Sequence, residues 1–227
     1  GSYDTYAAGL SYERVGDNGF AALSLSRVQT KGFSAKKTGA GANEADPYSS
    51  NHLRFAFEHM ANEYLGFNLA ALSSSETSDY DQFSPLTDKL DRDTQSVKVG
   101  LVLNFAGITN EISITEGDLT RKYTGSTYDS DRQDIEYKGQ TSIGETKLIF
   151  GAASSKEAMV STWGDEGSDT EKAVFVDLLR KISSSMDVSA TIRQTESDDF
   201  SSNTSYRLAG IYNLESGIRL RAMGSTG

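Results

Sequence analysis

The chain contains no cysteine, two prolines, two histidines and one tryptophan among its 227 residues. Without cysteine there is no disulfide framework, no thiolate metal site and no cysteine nucleophile. A thiol-free chain also cannot mispair in an oxidising periplasm. Both prolines, Pro47 and Pro85, fall in connectors, so the segments between them can form uninterrupted hydrogen-bonded ladders. No run of 18 apolar residues occurs, which excludes a transmembrane helix. Basic residues are outnumbered, 22 Lys and Arg against 32 Asp and Glu, for a net charge of −10. Nucleic-acid binding, which needs a basic footprint, is thereby excluded. The first residues, Gly1-Ser2-Tyr3-Asp4, have neither the basic start nor the apolar core of a secretory leader. If the protein is exported, the chain is expected to begin inside a longer one.

What is present is alternation with period two. Val97, Val99, Leu101, Leu103 and Phe105 share one face of a strand, while Lys98, Gly100 and Asn104 lie on the other. The same pattern runs through Tyr6, Ala8, Leu10 and Tyr12, through Leu53, Phe55 and Phe57, through Leu65, Phe67, Leu69 and Ala71, and through Ile218, Leu220 and Ala222. Twelve strands are predicted, over 3–15, 19–29, 51–60, 64–73, 94–105, 109–117, 133–143, 146–154, 172–182, 187–195, 204–214 and 217–225. Each is near the length a tilted strand needs to cross a bilayer.

The connectors sort by length. Short ones (Gly16 to Asn18, Ala61 to Glu63, Ala106 to Ile108, Gly144-Glu145, Ser183 to Met186, Glu215-Ser216) alternate with long ones near 30–50, 74–93, 118–132, 155–171 and 196–203. A soluble sandwich or propeller has no reason to sort its loops by parity. An outer-membrane barrel does, with tight periplasmic turns and long external loops. The fold class expected is therefore all-β, an antiparallel transmembrane β-barrel, over residues 1–227. By the same parity the first strand descends from the outer surface and the last ascends, so the chain is expected to be part of a barrel. It also ends without the aromatic-terminated strand of a whole one. Two rivals remain at this point: a stand-alone channel of about twelve strands, and a soluble β-rich binding module or adhesin.

Tyr3-Asp4-Thr5-Tyr6, Ala22-Leu23-Ser24-Leu25-Ser26-Arg27 and Thr30-Lys31-Gly32-Phe33-Ser34 resemble the early barrel strands of TonB-dependent outer-membrane receptors. The ending, Arg219 to Gly227, resembles the strand that in this family precedes a Gly-aromatic-Lys/Arg-Ala-Pro segment. The cobalamin and siderophore branch offers the nearest match. The resemblance implies roughly strands two to thirteen of a barrel of about 22 strands. It also implies active uptake of a scarce small-molecule nutrient, cobalamin or a ferric siderophore, through a Gram-negative outer membrane. TonB would act only through a plug domain that these residues do not include, the surrounding partner would be outer-membrane lipid, and no catalysis is implied. In the cobalamin branch, acidic residues of two external loops bind calcium. Laid alongside, Asp46 and Asp81 fall on ligand positions, Ser34 stands where an aspartate is expected, and Glu44 or Asp79 would compensate.

Other constellations yield no chemistry. His52 and His59 are an odd number of residues apart in one strand and face opposite ways, so they cannot share a metal. No nucleophile elbow or phosphate loop is present, and no enzyme is expected. Tyr6, Tyr12, Tyr64, Tyr137 and Tyr212 read as interfacial girdle residues. Tyr48, Tyr80, Phe83, Tyr123, Tyr128, Trp163 and Phe200 lie in or beside the long connectors. Tyr48, Tyr80, Phe83, Tyr128 and Trp163 are the candidates for substrate contact.

Overall fold

The structure is a computed structural model that describes residues 2–34, 45–81 and 87–226. After a short 3-10 turn at Ser2–Asp4, twelve strands follow: β1 (Tyr6–Gly16), β2 (Gly19–Thr30), β3 (Tyr48–Met60), β4 (Leu65–Asp81), β5 (Thr87–Phe105), β6 (Ile108–Tyr123), β7 (Ser126–Ile143), β8 (Thr146–Ser161), β9 (Glu166–Ser183), β10 (Met186–Ser197), β11 (Asn203–Asn213) and β12 (Arg219–Ser225). They form one antiparallel sheet in sequence order, each strand beside the next. β1 and β12 do not pair with each other.

This sheet has no second layer to cover it. Among the described residues Ala173 is the one buried hydrophobic, whereas Val99 is 57% exposed, Val174 57% and Leu208 60%. A water-soluble sheet with one bare apolar face of this extent would aggregate; lipid is the solvent that suits it. The apolar face is continuous because register places like residues side by side. Leu25 faces Leu53, Ala71 faces Val97, and Ile114 faces Ile135. On each strand the outward apolar row ends at a polar residue: Leu25 below Arg27, Leu53 below Asn51, Val97 below Gln95, Ile114 below Glu116. From Val97 to Phe105 the row rises about 20 Å along a tilted strand, close to the apolar band of known barrels.

Register also gives the tilt. At the β3–β4 junction the last apolar residue, Leu53, faces Ser73 rather than Ala71. Val97 likewise faces Glu116 at β5–β6, Ile135 faces Ser154 at β7–β8, and Val174 faces Gln194 at β9–β10. The band thus steps by two residues at every second junction, one residue per strand on average. With a rise of about 3.3 Å per residue and about 4.8 Å between strands, that stagger requires a tilt of about 35°. This lies within the range of outer-membrane barrels.

The connectors depart from the sequence expectation. Of the stretches read as long loops, three are mostly strand, and 196–203 is strand only at its two ends. β4 continues to Asp81 and β5 begins at Thr87; β6 and β7 meet at Thr124-Gly125; β8 and β9 meet across 162–165; β10 and β11 across 198–202. These segments lost the apolar alternation because they stand above the membrane with water on their outward side, yet their backbones stay paired. The asymmetry of the barrel therefore lies in strand overhang at one end. The opposite turns are tight, as at Ala106-Gly107, where φ of 52° and 75° gives the mirror-image two-residue hairpin turn.

Candidate functional site

Most inward positions are polar, and their contacts cross several strands. Near the tight-turn end, Glu111 on β6 collects three donors. Lys138 Nζ lies 2.7 Å from Oε2, Lys98 Nζ 3.3 Å from Oε1, and Asn68 Nδ2 3.1 Å from Oε1. Asn68 sits on β4, so it must reach across β5 to meet Glu111. Gly100 allows this, because a Cβ there would collide with the Asn68 side chain. Higher on the same face Arg132 clamps Asp134 through Nε (3.0 Å) and approaches Glu157 at 3.8 Å. Arg193 pairs with Glu171 at 3.4 Å and lies 6.0 Å over the Phe175 ring. Phe175 in turn lies over Gly151, where a Cβ would overlap its ring. A cleft of about 310 Å³ between these groups is lined by Lys98, Arg132, Asp134, Glu136, Glu171 and Arg193. Sequence reasoning passed over these charges; their only signal was a polar residue at every second position.

At the overhanging end the inward face becomes aromatic. Tyr80 on β4, Tyr123 on β6 and Tyr128 on β7 form a row of edge-to-face contacts, with centroids 6.4 and 5.8 Å apart and planes at 90° and 89°. Tyr123, Tyr128, Arg121, Leu119, Met159 and Trp163 line a cleft of about 500 Å³. Trp163, 73% exposed, is presented by the β8–β9 turn. Ser161, 6% exposed, builds that turn: its Oγ accepts from the N–H groups of Trp163 and Asp165, each at 3.2 Å. Beside the row, Asp88 Oδ2 and Arg92 Nε are buried without a hydrogen-bond partner. Each is a polar group whose desolvation a ligand or water would offset.

The hairpin carrying Tyr80 is pinned on its outward side. The Thr77 hydroxyl donates to Asp91 at 2.7 Å, with Lys89 Nζ 3.2 Å away. The Thr77 hydrogen bond, aided by Lys89 and opposed by burial, holds the Asp91 carboxyl below its usual range. Asp91 stands in the overhang, beyond the lipid-facing row that ends at Val97.

Of the expected contact residues, the fold brings Tyr80, Tyr128 and Trp163 to one end of the inward face and adds Tyr123. Tyr48 shares that face, opposite Ser78, but stands outside the row of rings. Phe83 lies outside the described residues, as do Glu44 and the side chain of Asp81. Asp46 precedes β3, its carbonyl packed against Gly32; the Asp79 N–H donates to Pro47 O at 3.0 Å. Asp79 and Asp81 stand on the end of β4, in strand rather than in the loop expected. Among the described residues no three His, Asp or Glu side chains come together as a metal site. The two histidines face opposite ways, His59 outward and stacked 6.2 Å from Phe57.

Of the girdle candidates, Tyr137 faces lipid and carries out a specific task. Its hydroxyl donates to Asn110 Oδ1 at 2.8 Å, while Asn110 Nδ2 donates to the Leu103 and Ile108 carbonyls. An asparagine on the lipid-facing side, 8% exposed, is thereby fully satisfied.

No family model and no curated protein sequence matches the chain. Solved structures do. The copper transporter OprC superposes with a TM-score of 0.75 at 11% identity, covering 98% of this chain and 43% of its own. The siderophore receptor PirA from Pseudomonas aeruginosa gives 0.71 at 12%, covering 96% and 38%. The ferric-catecholate import receptor Fiu from E. coli K12 gives 0.70 at 10%, covering 97% and 51%. The chain thus spans about half or less of the length of these proteins. With its lipid-facing band and one-residue stagger, the chain has the fold of part of the outer-membrane β-barrel of TonB-dependent receptors.

Proposed function

We propose that the chain forms part of the barrel wall of an outer-membrane receptor that takes up a scarce metal chelate, energised by TonB through a plug domain. The observation that carries this reading is the aromatic row of Tyr80, Tyr123 and Tyr128, with Trp163 and Arg121, on the inward face at the outer end. Flat rings beside a guanidinium suit a large, partly aromatic, anionic ligand. A ferric siderophore has that chemistry, and cobalamin is the second choice. The neighbours named for siderophores and copper support the class of cargo without specifying it. Further strands pairing with β12 and β1 would close the barrel, since unpaired edges are very costly in lipid.

Trp163 is the single tryptophan and provides the assay. Ligand entering the cleft is expected to quench its fluorescence. Tyr123→Ala and Tyr128→Ala should each weaken binding about ten-fold, the equivalent of roughly 1.4 kcal/mol. If neither ferric siderophores nor cobalamin change the emission, or if the tyrosine variants bind as the parent does, the reading fails.

A further inference from the structure

The outward face holds a second constructed feature, a groove of about 510 Å³ across β1–β4. Ala8, Leu10, Leu25 and Leu53 line its apolar part, and Arg27 and Asn51 close its upper end. Small residues make the concavity: Ala8 stands opposite Arg27, and Ser73 and Ser75 stand opposite Leu53 and Asn51. Arg27 and Asn51 are direct partners across the β2–β3 ladder. They occupy the first polar position above the lipid-facing row on their strands, the level of lipid headgroups. The Arg27 guanidinium is exposed, donates only a long 3.4 Å bond to Gln29, and pairs with no acid among the described residues.

Charge makes this place different from the β5–β7 sector at the same level. The first two polar positions of β5–β7 are Gln95 and Asp93, Glu116 and Asp118, and Gln133 and Asp131, all facing outward and four of the six acidic. Those of β2–β4 carry Arg27, Gln29, Asn51, Ser49, Ser73 and Ser75, all donors or neutral groups. An anion is repelled from one sector and offered a fork of N–H groups, an amide and two hydroxyls in the other. Below those donors the groove continues down the leucines, which is where the tail of the same molecule would lie.

Resting on the outer-membrane reading above, we propose that this groove binds a phosphorylated lipid of the outer leaflet. Its phosphate sits on the Arg27 fork with Asn51 beside it, and an acyl chain runs along Leu10, Leu25 and Leu53. The site faces away from the aromatic cleft, so it serves the anchoring of the barrel in its leaflet and not uptake.

The test uses the full-length protein extracted from outer membranes in mild detergent, with native mass spectrometry counting retained phosphorylated lipid. The stripped protein is then re-lipidated from vesicles of phosphatidylcholine with and without lipid A. Arg27→Ala is expected to lower lipid A retention about ten-fold and Arg27→Lys by less, because an ammonium cannot form the fork. Gln95→Ala, at the same level on β5, is expected to leave retention unchanged. Equal retention by R27A and the parent overturns the proposal. Displacement of the lipid by inorganic phosphate alone also overturns it, since the acyl groove would then contribute nothing. A protein recovered in the aqueous fraction would refute the outer-membrane reading instead, whereas an inserted protein with unchanged retention refutes only the lipid site.

Discussion

Replacing Glu111 by alanine is the most informative perturbation of the inward face. The carboxylate is 18% exposed and holds Lys138 at 2.7 Å, Lys98 at 3.3 Å and Asn68 at 3.1 Å. Hydrogen bonds to a charged group contribute about 1.5–3 kcal/mol each when buried. The lysine side chains are 37% and 36% exposed, so solvent screening brings each ion pair down to about 0.5–1 kcal/mol. With the half-buried Asn68 bond to the carboxylate discounted by solvent to about 0.5–1 kcal/mol, the loss is about 2 kcal/mol. Removing the anion also leaves two ammonium groups converging on one site.

The assay is urea unfolding of the protein in liposomes, followed by the gel-mobility difference between folded and unfolded barrels. The graded set is the strength of the test. Glu111→Ala should cost about 2 kcal/mol and Asn68→Ala about 0.5–1 kcal/mol. Gly100→Ala should match Asn68→Ala, because its Cβ would occupy the space through which Asn68 reaches Glu111. The triple variant Glu111→Leu, Lys98→Met, Lys138→Met should recover most of the loss, since no charge is left unpartnered. If Glu111→Ala behaves like an exposed substitution, within about 0.5 kcal/mol of the parent, the network does not hold these strands together. If Gly100→Ala costs as much as Glu111→Ala, the glycine matters for strand packing and not for the passage of Asn68.

Tyr137→Phe should destabilise the sheet by about 1–2 kcal/mol by stranding Asn110 Oδ1 on the lipid side, and adding Asn110→Leu should restore most of it; the same urea titration reads both. Gly151→Ala places a methyl against the Tyr137 carbonyl and the Phe175 ring and should cost about 1–3 kcal/mol, while Gly164→Ala, with open space at its Cβ, should cost only the strain of its positive φ. The Asp91 carboxyl is held below its ordinary pKa, so its contribution is complete above about pH 4 and is lost as pH falls through the lower folded-state value. Thr77→Val should therefore speed amide exchange in the paired segments 74–81 and 87–94 at neutral pH by a few tenths of a kcal/mol, with no difference from the parent once Asp91 is protonated. Equal effects at both pH values would show that the hydroxyl acts through packing.

The parts legible in the sequence were those that depend on a single strand. Alternation located all twelve strands, because an outward row such as Val97 to Phe105 writes itself at every second residue. It went silent where the strand left the lipid: in Glu76-Thr77-Ser78-Asp79-Tyr80-Asp81 both faces are polar, so a paired strand looks like a loop. The sites depended on register, which single-strand periodicity does not encode. Tyr80 and Tyr123 are 43 residues apart in the chain, as are Asn68 and Glu111; each pair meets only because β5 lies between its partners in one alignment.

Register is also what couples the two faces. Because the residue period is two, a slip of one position between β4 and β5 would turn Lys98 toward lipid and Val97 toward the inward network. The lipid-facing row thus fixes the alignment that brings Asn68, Gly100 and Glu111 into line, and that same alignment, continued upward, sets Tyr80 beside Tyr123. Lipid exposure on the outside is therefore a cause of the geometry on the inside. A single misregistered hairpin would dismantle the apolar band, the ionic network and the aromatic row together, which is why the membrane itself selects the arrangement in which the inward network and the aromatic row are formed.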